Sequence, residues 1–256
     1  MIVQSINFKH TNVIGNAITA VDFFNSWAID EIVLLNVSRT KEYHQDFLKV
    51  VRELSKRCFV PLTAGGWVES LSDIRELLLC GADKVSINTK AFQSPDFIEE
   101  AATIFGNQCI VISIDAKKRD DGEHEVYIDR GKIAAGVIVK QWAQLAAEKK
   151  AGEILLTSID NDGSRKGYDL ELLRAVTPIV NIPVIAFGGV GKWEHLVEGI
   201  TLGGADAVAA ANIFHYMEHS TKQAKEYLIE AGIDARKPFF YKVNSLRKPE
   251  YKVQGY

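Results

Sequence analysis

Short apolar runs alternate with longer amphipathic stretches along almost the whole chain. The runs are rich in Val, Ile and Leu, and they predict β-strands at 31–36, 60–64, 84–87, 109–115, 153–158, 184–187 and 207–210. The stretches between and after them have helical spacing and predict helices at 43–56, 71–80, 95–105, 138–149, 170–176, 193–202 and 221–231. Such alternation is typical of a parallel sheet covered by helices. Seven strands of this kind indicate a (β/α)8 barrel that needs one more.

The start of the chain leaves that eighth strand open. Residues 1–8 have the pattern of a short strand, and a loop and a helix near 16–27 follow. By pattern alone, this strand is either the first strand of the barrel or part of a hairpin that follows a missing one.

An internal repeat divides the predicted barrel into two halves. Four landmarks recur at a nearly constant separation: Asp30-Glu31-Ile32 with Gly152-Glu153-Ile154, Val60-Pro61 with Ile182-Pro183, Gly65-Gly66 with Gly188-Gly189, and Gly81-Ala82-Asp83 with Gly204-Ala205-Asp206. Such self-similarity predicts two (βα)4 half-barrels that close into one (β/α)8 TIM barrel, a single domain over 1–235. A tail at 236–256 with six basic residues, one acid and five aromatics follows. It is either a solvated extension or an arm that docks a partner.

Composition narrows the class of protein. The chain has 256 residues, 47% hydrophobic and 25% charged, as in an ordinary soluble protein. A net charge of −3 gives no reason to expect nucleic acid or a membrane as a partner. No apolar run approaches the roughly 20 residues that span a bilayer, and the N-terminus does not resemble a signal peptide. Cys58, Cys80 and Cys109 form no CxxC pair, which favours reduced, buried thiols in a cytoplasmic protein.

Glycine-rich turns follow equivalent strands of the two halves. Barrel enzymes place their sites at the carboxyl ends of the strands, and a turn rich in backbone N–H groups can bind phosphate there. The first half supplies Gly65, Gly66, Asn88 and Thr89, and the second half supplies the 160–163 turn, Gly188, Gly189 and Asn212. One Gly-Gly pair could be ordinary turn chemistry. Two in symmetric positions predict a ligand with two phosphates, one per half.

Two aspartates stand near the predicted mouth. Asp115 ends its strand, where a buried carboxylate can exchange protons with a substrate, and Asp162 is opposite it in the symmetric frame. Both could instead cap a helix or turn. We predict catalysis for Asp115 and phosphate-loop positioning for Asp162. No metal-ligand cluster, Walker loop or dinucleotide fingerprint is present, so neither a metal nor a cofactor is expected.

Three charged residues begin strands, at the end of a barrel that normally serves stability. Glu31, Lys84 and Glu153 are predicted either to form an ion-paired plug or to be separate solvated caps.

Longer motifs carry a resemblance to a known family. The segments PLTAGGWVESLSDIRELLLCGADKVSINTKAF, CIVISIDAK, AGEILLTSIDNDGSRKGYDLELLRAV and IPVIAFGGVG closely resemble HisF, the cyclase subunit of imidazole glycerol phosphate synthase. The similarity extends from about Met1 to Ile233. It implies a half-barrel repeat that binds a bisphosphorylated aminoimidazole-carboxamide ribonucleotide. It also implies a HisH-like glutaminase partner, in a heterodimer, that supplies ammonia through the barrel.

The resemblance implies roles for individual residues. In the family, two aspartates on strands one and five act as general acid and base, and the second matches Asp115. The phosphate loops match the glycines, Asn88, Thr89 and Asn212 named above, with Asp162 and Gly163. The charged ammonia gate matches Glu31, Lys84 and Glu153. Asp83 would lie at the glutaminase interface. The implied reaction yields imidazole glycerol phosphate and the carboxamide ribonucleotide, in histidine biosynthesis.

Several positions depart from the family pattern. The family opens with a strand of the type RIIPCLDVKDG, which carries the other catalytic aspartate and an arginine of the gate, and Met1 aligns just after it. Gln4 replaces a lysine of the mobile loop, and Asn36 replaces the aspartate of LDIT. Trp67 replaces a third glycine, and Phe187 and Asn212 replace small polar residues. We expect Trp67 and Phe187 to crowd the phosphate sites.

These departures leave three hypotheses. The chain is a HisF-type cyclase, or a paralogue that passes ammonia to the amidination of a nucleotide sugar in surface-polysaccharide biosynthesis. The third alternative is a non-catalytic ammonia conduit.

Overall fold

The computed structural model describes residues 1–238. Its strands are β1 (Ile2–Ile6), β2 (His10–Gly15), β3 (Ile32–Leu35), β4 (Leu62–Gly65), β5 (Lys84–Ile87), β6 (Ile110–Lys118), β7 (His124–Ile128), β8 (Ile133–Ile138), β9 (Glu153–Ser158), β10 (Val184–Phe187) and β11 (Ala207–Val208). Its helices are α1 (Ala17–Ser26), α2 (His44–Ser55), α3 (Leu71–Leu79), α4 (Thr89–Gln93), α5 (Asp96–Phe105), α6 (Val139–Glu148), α7 (Leu170–Val176), α8 (Trp193–Thr201), α9 (Asn212–His215) and α10 (Ser220–Glu230). No helix among these has the length and apolar composition to cross a membrane.

Seven parallel strands form the main sheet in the order β11-β10-β9-β6-β5-β4-β3. They are the seven strands that the apolar runs predict, and strand–helix alternation makes this an α/β fold of the TIM-barrel type. Within residues 1–238, no strand pairs with the outer edges of β3 and β11. The N-terminal strand is one arm of a hairpin, because β1 pairs only with β2.

The two faces of the sheet differ in chemistry, as expected from the period of two along a strand. One face packs against the helices in a single apolar cluster that includes Ile112, Ile114 and Leu156. The other face carries five buried polar side chains: Thr63, Ser86, Ser113, Asp115 and Thr157. Val111 and Leu155 lie on this second face too, and neither belongs to the apolar cluster. This second face forms the interior of the curled sheet.

A hairpin extends the sheet beyond Asp115. β7 pairs antiparallel with the end of β6, and β8 pairs with β7. The tip of this hairpin meets the N-terminal hairpin, since a Cβ added to Gly131 would lie 2.8 Å from the Phe8 ring. The two hairpins therefore touch above the carboxyl ends of the strands.

The helices are stabilised at their ends by local polar groups. Ser70 and Asp73 form a capping box at α3, and Asp169 caps α7 by accepting a hydrogen bond from the Leu172 backbone. Cys58 and Cys80 are buried, as predicted, whereas Cys109 is half-buried. Of the predicted tail, Arg236 hydrogen-bonds to Asp30 and to the Ile29 carbonyl, and residues 239–256 lie outside the described part.

Candidate active site at the carboxyl ends of the strands

Asp115 lies in β6 and is 8% exposed. Its Oδ2 accepts a hydrogen bond of 3.0 Å from Asn88 Nδ2. Burial and the nearby carboxylate of Asp162 raise the pKa of Asp115 to about 7, although the Asn88 hydrogen bond opposes this. The carboxyl group therefore changes protonation near neutral pH, which suits a group that both donates and accepts protons.

Asp162 supplies a second buried carboxyl group at the same edge of the sheet. The Ser5 hydroxyl donates a hydrogen bond to its Oδ2, and the Asn7 backbone N–H donates to its carbonyl at 3.0 Å. Burial raises the pKa of Asp162, opposed by the hydrogen bonds from Ser5 and the Phe8 backbone. The N-terminal hairpin thus holds Asp162 in place, a contact that sequence reasoning missed.

The two predicted phosphate sites lie at one end of the sheet, because β4 and β10 run parallel within it. We name Gly65, Gly66, Asn88 and Thr89 the first cradle, and Asp162, Gly163, Gly188, Gly189 and Asn212 the second cradle. Gly66 and Gly189 both have φ of +103°, a conformation that favours glycine. A Cβ at Gly66 would lie 2.4 Å from the Asn36 carbonyl oxygen, and one at Gly189 would lie 2.1 Å from that of Gly167. A side chain at either position would clash with backbone, so both turns require glycine.

Trp67, where the family pattern has a third glycine, has a left-handed backbone conformation. Its φ is +59°, and its indole Nε1 donates to the carbonyl and hydroxyl oxygens of Ser38 at 3.2 and 3.1 Å. The indole is thus bound to the loop that follows β3. Phe187 is half-buried at the end of β10.

The charged residues at the opposite end of the strands form one ion-paired group. Lys84 Nζ donates to Glu153 Oε1 at 2.6 Å and to Glu31 Oε2 at 3.0 Å. Burial disfavours the charged lysine, but the hydrogen bonds and charges of Glu153 and Glu31 outweigh it and raise the pKa of Lys84. These residues, the gate group, are therefore not separate solvated caps. Glu153 Oε2 is buried and has no hydrogen-bond partner within residues 1–238.

Asp83 is exposed at the same end as the gate group. Its Oδ2 accepts a hydrogen bond of 2.8 Å from the Leu62 backbone N–H. Asp206 makes the equivalent bond of 2.9 Å to Val184 in the second half. Asp83 therefore has a structural contact that the repeat duplicates, in addition to its exposure.

Comparison with known proteins identifies the family of the chain. Residues 1–220 match the family model described as "Histidine biosynthesis protein". The chain belongs to this family. It is 48% identical over 236 residues to a protein of Vibrio vulnificus (strain YJ016) named "Putative imidazole glycerol phosphate synthase subunit hisF2", which covers 92% of this chain and 86% of that protein. This chain is thus a HisF-family protein, and the relative's name identifies that protein as one subunit of a synthase.

Proposed function

We propose that this HisF-family chain receives ammonia from a HisH-like glutaminase at the gate group and uses it at Asp115. The proposed substrate is a bisphosphorylated aminoimidazole-carboxamide ribonucleotide, and the products are imidazole glycerol phosphate and the carboxamide ribonucleotide. One observation carries the proposal. An ion-paired group and a buried carboxyl group with a pKa near neutrality occupy opposite ends of one face of the sheet.

The interior face between these two ends suits the passage of ammonia. Small hydroxyl side chains from four neighbouring strands lie along it: Thr63, Ser86, Ser113 and Thr157. Apolar Val111 and Leu155 separate them. Neutral ammonia can exchange hydrogen bonds with hydroxyl groups, whereas an ion would lose much of its hydration in such an interior. In this proposal, ammonia moves along the face as the uncharged molecule.

The end that holds the gate group also has features of a docking surface. Helices of a β/α barrel end where its strands begin, so exposed apolar residues at helix ends surround the strand starts. Five such side chains are 36–78% exposed: Phe59, Leu79, Ile104, Ile179 and Leu202. Apolar residues around an opening are typical of a protein interface. They support a glutaminase partner at this end.

Asp115 is the proposed general acid and base. Near pH 7, a fraction of the group is ionised and accepts a proton from the incoming amine, and the protonated form returns a proton to the leaving group. The two cradles would fix the phosphates on either side of it and so hold the reacting atoms close to Asp115.

Turnover with ammonium chloride, and with glutamine plus the glutaminase, tests the proposal. We expect product from both nitrogen sources. Replacement of Lys84 by Met should change the ratio of the two rates, because only glutamine-derived ammonia must pass the gate group. If the protein gave no product with either nitrogen source, the cyclase assignment would be wrong.

A second candidate function is delivery of ammonia to another acceptor, such as a nucleotide sugar, by this chain or a further enzyme. The remodelled first cradle favours it, since Trp67 is bound to Ser38 beside Gly66. In this case the chain would bind the glutaminase and stimulate glutamine hydrolysis, yet give no cyclase product with ammonium chloride.

A further inference from the structure

The guanidinium group of Arg130 lies beside the first cradle and is held there from three sides. Its Cζ is 4.9 Å from the centre of the Trp67 ring. Nη1 donates to the Ser38 carbonyl at 3.0 Å, and Nε donates to Asp129 Oδ1 at 3.0 Å. A guanidinium over an indole face at this distance is a favourable cation–π contact. The side chain is 28% exposed, so it remains accessible to a small ligand.

Asp129 and Ser38, which accept hydrogen bonds from Arg130, are each connected to residues of the first cradle. On one side, the Asp129 backbone N–H donates to Thr89 Oγ1 at 3.0 Å. On the other side, Ser38 follows Asn36, whose N–H donates to the Gly65 carbonyl at 2.8 Å. The guanidinium is therefore connected through Asp129 and Ser38 to the segments that hold Thr89 and Gly65.

Two further features fit a ligand at this place. Asn36 Nδ2 is buried and has no hydrogen-bond partner within the described residues, an arrangement that is unfavourable unless a ligand supplies an acceptor. Trp67, Asp129 and Arg130 all have positive φ, at +59°, +47° and +60°. Strained backbone of this kind is frequent where a binding site is held in advance of its ligand.

We propose that Arg130, positioned by the Trp67 indole, is the charged contact for the phosphate in the first cradle. This inference rests on the phosphate-binding role in the proposed function and adds its cationic residue. When a phosphate binds, the guanidinium gives up its hydrogen bonds to Asp129 and donates to two phosphate oxygens instead. Its contacts with Trp67 and Ser38 persist. The planar fork of arginine matches a phosphate bidentately, and a dianion attracts it more strongly than one carboxylate does.

This role gives Trp67 a physical reason for its place in a glycine-rich turn. With a third glycine in place of Trp67, Arg130 would lose its stacking partner, and its guanidinium could move with Asp129. The second half has a comparable arrangement, since the Arg165 Cζ lies 5.7 Å from the Tyr216 ring centre, and a Cβ at Gly191 would meet the Arg165 carbonyl. Each cradle therefore has an arginine over an aromatic ring nearby.

Titration with inorganic phosphate, followed by NMR at the amides of Thr89 and Gly189, tests the inference in the full chain. In Arg130→Ala we expect roughly 10- to 100-fold weaker binding at the first cradle and unchanged binding at the second, because a hydrogen bond to a charged group contributes about 1.5–3 kcal/mol. Arg130→Lys should recover part of the loss, and Trp67→Gly should weaken binding by a smaller factor. Arg119→Ala is the matched control, since Arg119 pairs with Asp121 in the turn between β6 and β7, whereas Arg130 lies in the turn between β7 and β8.

The outcomes separate this inference from the proposed function. Wild-type binding at both cradles with Arg130→Ala and Arg130→Lys unchanged would overturn the role of Arg130 and leave the phosphate sites standing. An absence of phosphate shifts at both cradles in the wild type would overturn both. Because Arg130→Lys retains the charge and the length of the side chain, it keeps the test valid if the alanine variant folds poorly.

Discussion

Asp115 combines burial, a neighbouring carboxylate and a single amide hydrogen bond in one position. The first two raise its pKa to about 7, and the Asn88 hydrogen bond limits the rise. Asp162 interacts with the Ser5 hydroxyl and the Phe8 backbone, so the two carboxyl groups have different surroundings. Different environments for paired carboxyl groups are a general way to divide acid and base roles.

Replacement of Asp115 by Asn should lower turnover with ammonium chloride by about 10²- to 10⁴-fold, because one acid–base group contributes about that much. The amide has nearly the same shape and cannot transfer the proton, so phosphate binding should be unchanged. Steady-state kinetics and phosphate titration check this. Turnover equal to that of the wild type would exclude Asp115 as the acid–base group.

The same substitution should change how stability depends on pH. The pKa of Asp115 is about 7 in the folded protein, compared with 3.8 for an ordinary aspartate. Between these values the folded state binds more protons than the unfolded state, so the free energy of unfolding falls as pH rises from about 4 to about 7. At about 1.4 kcal/mol per pKa unit, the loss is of the order of 4 kcal/mol.

We therefore expect Asp115→Asn to lose less stability than the wild type between pH 4 and pH 8 in urea denaturation. Asp120→Asn is the control, since Asp120 is exposed in the turn after β6. Parallel stability–pH curves for the wild type and Asp115→Asn would show that burial of this carboxyl group has no energetic cost.

Individual elements show how far the repeated pattern determines the fold. Each half starts a strand after a Gly-Ala-Asp sequence, and in each the aspartate binds the backbone of the preceding strand. This clamp fixes the start of β4 through Asp83 and the start of β10 through Asp206. The sequence repeat therefore produces the same aspartate-to-backbone hydrogen bond in both halves.

Asp83→Ala and Asp206→Ala form a matched pair. Each should lower the free energy of unfolding by about 1–2 kcal/mol, because each leaves one backbone N–H without its acceptor. Only Asp83→Ala should also weaken the complex with the glutaminase, if Asp83 contacts the partner as the family resemblance implies. Thermal unfolding and calorimetric titration of the two subunits measure both effects. Equal weakening by the two variants would assign Asp83 a structural role alone.

The seven barrel strands were predictable from sequence because each contains a short apolar run with a turn signal near its end. The hairpin of β7 and β8 was missed, although Val126, Tyr127 and Ile128 of β7 are β-branched or aromatic residues, which are typical of a strand. The cradle glycines and Asp115 were predicted because they lie at or just after predicted strand ends, although β6 continues three residues past Asp115. Ser5, Ser38 and Arg130 could not be found in this way, since their contacts join residues far apart in the chain.

At the scale of the whole molecule, α10, which follows β11 and α9 in the chain, is bound to the segment that leads into β3. Thr221 Oγ1 donates to the Trp27 carbonyl at 2.7 Å, and the buried ammonium of Lys225 donates to the Ala28 carbonyl at 2.8 Å and to Asp30 at 2.7 Å. These bonds connect the last helix of the described chain to the loop between α1 and β3. The C-terminal part of the described chain is thus bound to the start of β3 by side-chain hydrogen bonds and not by strand pairing.

Lys225→Met should therefore loosen this junction more than it affects the rest of the molecule. Methionine keeps most of the apolar stem but removes the 2.8 Å hydrogen bond to the Ala28 carbonyl, which keeps the longer 3.5 Å bond from Arg236. We expect a loss of about 1–3 kcal/mol in the free energy of unfolding. Hydrogen exchange should accelerate in the 27–32 loop and in α10, and stay slow in β5, β6 and β9. Lys222→Met is the control, because Lys222 pairs with Glu226 on the half-exposed side of the same helix, where an ion pair contributes little. If hydrogen exchange accelerated equally in all strands, the molecule would unfold as one unit. The junction at α10 would then be as strong as the pairing between two strands.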